Sequence, residues 1–97
     1  MNRVQAFPIH IVLSLTTGVL MRKPFSDVHE CIEWVLGRPV FTHELASKKL
    51  SDIIATVVLS QLPVLEELPE YVDDTENYIS VAMKILCVRE LPLLRGQ

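Results

Sequence analysis

Thr42, His43 and Glu44 stand side by side just ahead of the longest helical apolar run of the chain. Three adjacent groups that hydrogen-bond or titrate are the densest chemistry the sequence offers. The Thr42 hydroxyl can cap a following helix by accepting from a free backbone N–H, which leaves His43 and Glu44 in the first turn. A helix N-terminus carries partial positive charge and disfavours an imidazolium, so His43 is expected neutral, suited to giving or taking a hydrogen bond. Its commoner use would be to tie the preceding Gly37–Pro39 corner to a backbone carbonyl; the other is contact with a ligand. Thr16 and Thr17, before Gly18, form a second polar cluster, although mid-helix threonines usually bond back to the carbonyl four residues earlier. A small-ligand or nucleotide-sequestering module would need Thr16, Thr17, Thr42 and His43 around one pocket.

Reaction chemistry is otherwise sparse. The three glycines are isolated, so no loop cradles phosphate, and there is no G-x-S-x-G elbow. His10, His29, His43 and Cys31 lack the C-x2-C or H-x3-H spacing of a metal site, and His29 and Cys31 fall on different faces of one helix. No metal, no cofactor and no catalytic residue is expected, and the chain is read as not an enzyme. His29, Glu30 and Glu33 could suggest acid–base chemistry, since Glu30 and Glu33 share a helical side, but they read rather as an N-terminal dipole partner and a solvated face. Trp34 and Phe41 are expected in the core or at its rim rather than as a platform for stacked bases.

The elements that would position these groups are helices. Apolar residues recur at three- and four-residue steps from Ile9 to Leu20, with Pro8 in the first turn and Arg22-Lys23-Pro24 as the stop, predicting a helix over 8–22. Val28, Cys31, Ile32, Val35 and Leu36 predict a second over 27–36, opened by Asp27 with Glu30 in capping-box position and closed by Gly37 and Pro39. Leu50, Ile53, Ile54, Val57, Val58 and Leu62 predict a third over 43–62, ended by Pro63, although its β-branched run is also compatible with a strand. A short helix over 64–68 and a last one over 75–90, capped by Asp74 or Thr75, complete an all-α bundle of four main helices and one short one. The last helix is apolar nearly all round, which marks a central or shared element. Leu91-Pro92-Leu93-Leu94 opens an extended tail over 91–97.

Composition narrows the function. Ninety-seven residues make one domain, and a chain of this size buries only about 60–70% of its extended surface. Yet 49% of the residues are apolar and the mean hydropathy is +0.33. Some apolar surface is therefore expected to be covered by company, and Met83, Cys87, Leu91, Leu93 and Leu94 are the expected self-association face of a homodimer. No run reaches the roughly 18 apolar residues of a membrane span. Cys31 and Cys87 lie in apolar helical patterns and no export signal precedes them, so two buried free thiols and a cytoplasmic location are expected. The net charge is −3, and Glu66, Glu67, Glu70, Asp73, Asp74 and Glu76 are gathered between 66 and 76 without a Lys or Arg. Direct nucleic-acid binding needs clustered cations and is disfavoured. An acidic edge suits instead a basic surface on a protein partner.

Three segments carry a resemblance. Ser14-Leu15-Thr16-Thr17-Gly18-Val19-Leu20, then Asp27-Val28-x-x-x-Ile32, then Gly37-x-x-x-Phe41-Thr42-His43-x-Leu45 are similar to a family of small uncharacterised proteins of tailed phages and prophages. Its members show S-I-T-T-G-x-L, D-x-Y-x-I-L and M-T-G-x-x-L-F-T-H-Q-L, followed by a leucine-rich run that Leu59-Ser60-Gln61-Leu62-Pro63 echoes. This chain departs at His29, where the family favours tyrosine, and at Glu44-Leu45-Ala46-Ser47, where Q-L-P-R is usual. The resemblance implies a phage-encoded protein acting inside the host cell and brings no catalytic residues. From that setting the expected function is a protein–protein interaction module. The expected partner is a host protein complex, with inhibition of a defence system such as CRISPR by occupation of a surface.

Overall fold

The computed structural model describes residues 3–18, 20–21, 25–71 and 74–96. In chain order the elements are β1 (Val4–Pro8), α1 (Ile9–Thr17), α2 (Phe25–Leu36), a 3-10 turn (Thr42–Ala46), α3 (Lys48–Gln61), a second 3-10 turn (Pro63–Glu67), α4 (Thr75–Leu86) and β2 (Glu90–Leu94). The protein is mostly helical, but it is not all-α. The expected extended tail begins as a strand, paired antiparallel with β1 in the register Val4↔Leu94 through Pro8↔Glu90. Alternation explains it: in an extended chain Leu91 and Leu93 share one face, and both are buried, as is Phe7 opposite Leu91. Leu91 and Leu93 therefore serve this chain's own core, not a free self-association surface.

The central element is α1 rather than the last helix. Ile9, Ile11, Val12, Leu13, Ser14 and Leu15 are all buried, and the helix touches both strands and α2, α3 and α4. Its polar side chains can be enclosed because they bond to the helix itself: the Ser14 hydroxyl donates to His10 O at 2.7 Å and Thr17 to Leu13 O at 2.8 Å. By contrast α4 buries only Tyr78, Ile79 and Ala82 and leaves Ile85 exposed, as is Val88 just beyond its end. Around α1 the core is closed by Val28, Cys31, Ile32 and Val35 of α2, Ile54 and Val58 of α3, and Leu65.

Several helix ends differ from the periodicity. Gly18, in the left-handed region at φ 74°, ends α1 at Thr17 rather than at residue 22, and the expected stop Arg22-Lys23-Pro24 lies outside the described residues. α2 begins at Phe25, two residues early, and Gly37 (φ 71°) follows its end as expected. The expected helix over 43–62 is two pieces: Thr42–Ala46 is a 3-10 turn with no side-chain cap, and Ser47 caps α3 by accepting from Leu50 N at 3.3 Å. The expected helix over 64–68 is the 3-10 turn begun by Pro63. α4 starts as expected, with Asp74 accepting from Asn77 N, but stops at Leu86 because Cys87 adopts φ 57° and closes the helix on Met83 O.

Candidate functional site

The corner between α2 and α3 is held by two residues of α2 one turn apart. His29 Nε2 lies 2.6 Å from Val40 O, and since a carbonyl only accepts, that nitrogen donates. Glu33 Oε2 accepts from Val40 N at 2.8 Å. Both backbone groups of Val40 are thereby satisfied and its side chain is buried. The role foreseen for His43, tying the corner to a carbonyl, belongs to His29. A second clasp lies outside the first: Arg38 Nη1 donates to Glu44 Oε2 at 3.0 Å and to Pro39 O at 3.1 Å.

Held between these clasps, the 3-10 turn presents residues in two directions. Leu45 points inward to a cavity of about 110 Å³ between α1, α2 and α3, lined also by Leu15, Leu20, Phe25, Ile32 and Ile54. Phe41 points outward and is 68% exposed. Its ring stacks on His43 with centroids 5.7 Å apart and planes 7° from parallel. Phe41 is therefore neither core nor rim, contrary to expectation. Its apolar run-in with valine resembles a core segment; only the clasps, which turn it outward, decide otherwise. Trp34 is half-buried at the rim as expected, donating through Nε1 to Leu93 O at 3.0 Å under the Arg95 guanidinium.

The four residues of the expected polar pocket do not line that cavity. Thr16 and Thr17 spend their hydroxyls on Leu13 O, at 3.2 and 2.8 Å. Thr42 and His43 are exposed on the 3-10 turn. The cavity's polar lining comes instead from Ser14 and Ser51, and Ser14 Oγ already accepts from Met21 N at 3.0 Å.

The acidic residues lie along the surface path from the second 3-10 turn to the start of α4. Glu66, Glu67, Glu70, Asp74 and Glu76 are exposed; Asp73 lies outside the described residues. Among the described residues no cation pairs with Glu66, Glu67, Glu70 or Asp74, and Asp74 also caps α4. Of the expected self-association residues, Cys87 and Leu94 are exposed, Met83 is half-buried, and Leu91 and Leu93 are enclosed; Cys87 is thus not the buried thiol expected, because it caps α4 from outside the helix. Cys31 is enclosed too, and burial pushes its thiol up to about 12, which leaves it protonated and unreactive. Among the described residues no cluster of His, Cys, Asp and Glu could hold a metal ion, and no helix is long and apolar enough to cross a membrane.

Residues 7–70 match the model of a family described as a domain of unknown function (DUF7736), a span from the end of β1 through the second 3-10 turn that contains the whole corner. No curated protein and no solved structure matches the chain.

Proposed function

The chain belongs to the DUF7736 family, a domain of unknown function, and on that footing we propose that it is a protein–protein interaction module whose anchor is Phe41. The observation that carries this reading is an aromatic ring 68% exposed on a turn pinned from both sides. Binding energy concentrates in a few large side chains that enter a partner's pocket, and a ring held in place before contact loses little freedom on docking. His43, stacked on it, widens the anchor and offers polar edges. Glu66, Glu67, Glu70 and Asp74, which pair with no cation among the described residues, supply charge that steers a basic partner surface.

The resemblance to small phage and prophage proteins supports the rest. The module is phage-encoded, works in the host cytoplasm, and occupies a surface of a host protein complex. A defence complex such as a CRISPR effector, whose nucleic-acid channel is basic, fits an acidic occupant. No chemistry on the partner is required, so the protein acts as a blocker rather than an enzyme.

The test is capture of host proteins on the immobilised chain, identified by mass spectrometry and then measured by titration with the purified partner. Phe41→Ala is expected to weaken binding by about 30-fold or more, the effect of losing a hot-spot aromatic, with an unchanged melting curve. Reversal of Glu66, Glu67 and Glu70 to lysine, which spares the Asp74 cap, is expected to slow association and flatten its salt dependence. Undiminished binding by Phe41→Ala would remove the anchor, and a salt-insensitive association would remove the acidic edge.

A further inference from the structure

The outer edge of β1 is unlike the outer edge of β2. Arg95 N–H donates to Arg3 O at 2.8 Å and Ile9 N–H to Arg89 O at 2.9 Å. With the register Val4↔Leu94, the odd-numbered residues of β1 therefore exchange hydrogen bonds with β2. The even-numbered ones, Val4 and Ala6, turn their N–H and C=O groups away from it. On β2 the corresponding outward donors are disposed of: Pro92 has none, and Leu94 N–H is taken by Gln61 Oε1 at 2.8 Å. On β1 the outward groups of Val4 and Ala6 have no partner among the described residues, and Val4, Gln5 and Ala6 are all exposed. None of these three is a charge or a proline, the residues that ordinarily blunt an edge strand. The same alternation gathers Val4, Ala6, Pro92 and Leu94, all exposed and apolar, on the outer face of the two-stranded sheet, with the charged Glu90 at its far end beside Pro8.

We propose that β1 is a self-pairing edge, joined antiparallel by β1 of a second copy into a four-stranded sheet ordered β2–β1–β1–β2. The argument for a second copy is that the strand complements itself. With Gln5 on the two-fold axis opposite its own equivalent, Val4 faces Ala6 of the second copy in a hydrogen-bonded pair. Every outward donor and acceptor of these two residues then finds a partner. Centring the axis on Ala6 instead would set Val4 against Pro8, which has no N–H, and leave the Val4 carbonyl without a donor. Pro8 is also the N-cap of α1, so it ends the ladder where the helix begins. Across the outer face the pairing aligns Leu94, Val4, then Ala6 and Pro92 of the second copy in one row, with no charge among them.

Sedimentation of the full chain tests this. The mass is expected to climb from 11.0 kDa toward twice that value as concentration rises from about 10 µM to about 1 mM. Ala6→Pro removes an outward donor while sparing the ladder to β2, and is expected to keep the protein at the monomer mass with its circular dichroism unchanged. The register has its own test, which does not depend on that variant folding. In a Cys87→Ser background, Gln5→Cys is expected to form an interchain disulfide on mild oxidation. The Cα atoms of a non-hydrogen-bonded antiparallel pair stand about 4.5 Å apart, within disulfide range. Val4→Cys, offset from its equivalent by a diagonal, is expected to remain reduced. Wild type that stays monomeric throughout, including one that takes up a foreign extended peptide at β1 instead, overturns the proposal. Dimers undiminished by a folded Ala6→Pro, or cross-linking of Val4→Cys as fast as Gln5→Cys, do so equally.

Discussion

Shortening Leu93 to alanine asks whether the C-terminal strand is a working part of the core. Leu93 is 0% exposed, pairs with Gln5 across the sheet, and offers its carbonyl to Trp34 Nε1. Leu→Ala in a core costs about 2–5 kcal/mol, the transfer of the lost methyl groups plus the cavity they leave. A value near the middle, about 3 kcal/mol, is reasonable because Trp34 on one side is only half-buried and can shift to fill space. A domain of this size has about 5–15 kcal/mol in all, so the loss is a large share. It corresponds to a fall in Tm of about 12–24 °C. Thermal melts followed at 222 nm, with urea midpoints to confirm an unchanged m-value, provide the measurement. Leu94→Ala, one residue on and 38% exposed, is the control, expected to cost under about 1 kcal/mol. If Leu93→Ala melts within a few degrees of wild type, β2 is not bound to the core as described, and the open edge of β1 loses its frame with it.

Two further outcomes follow from buried contacts. Gly96 donates to Trp34 O at 3.0 Å, and a Cβ there would collide with Val35 O and stand 2.6 Å from Leu36 C. Gly96→Ala is therefore expected to lift the segment off α2, costing about 1 kcal/mol for the lost hydrogen bond and shifting Trp34 fluorescence to the red; an unshifted spectrum refutes the contact. Burial raises the Cys31 thiol from 9.0 to about 12, so the native state holds this proton more tightly than the unfolded chain. Stability from this source is whole below pH 9.0 and is lost as pH climbs from there toward 12, by at most about 4 kcal/mol. Urea midpoints between pH 7 and 11 are expected to fall more steeply for wild type than for Cys31→Ala. Tyr78, also raised by burial, adds the same slope to both; parallel curves would refute the assignment to Cys31.

What the sequence by itself determined is the set of local, periodic signals. The apolar spacing of α2 and α3, the stop at Gly37 and Pro39, and the Asp74 cap can all be read without coordinates, because each depends on neighbours within about one helical turn. The acidic path between Glu66 and Glu76 was legible for the same reason. Tertiary structure decided everything that joins distant segments. Two five-residue strands at opposite ends of the chain show no periodicity strong enough to be noticed alone, and only their meeting makes either one a strand. The corner likewise required α2 to bring His29 and Glu33 against Val40, eleven and seven residues away respectively. Spacing along the chain favoured His43 for that task, and space gave it to His29. Phe41, preceded by Val40, reads as core from the sequence, but with both backbone groups of Val40 held from inside the ring lies on the surface.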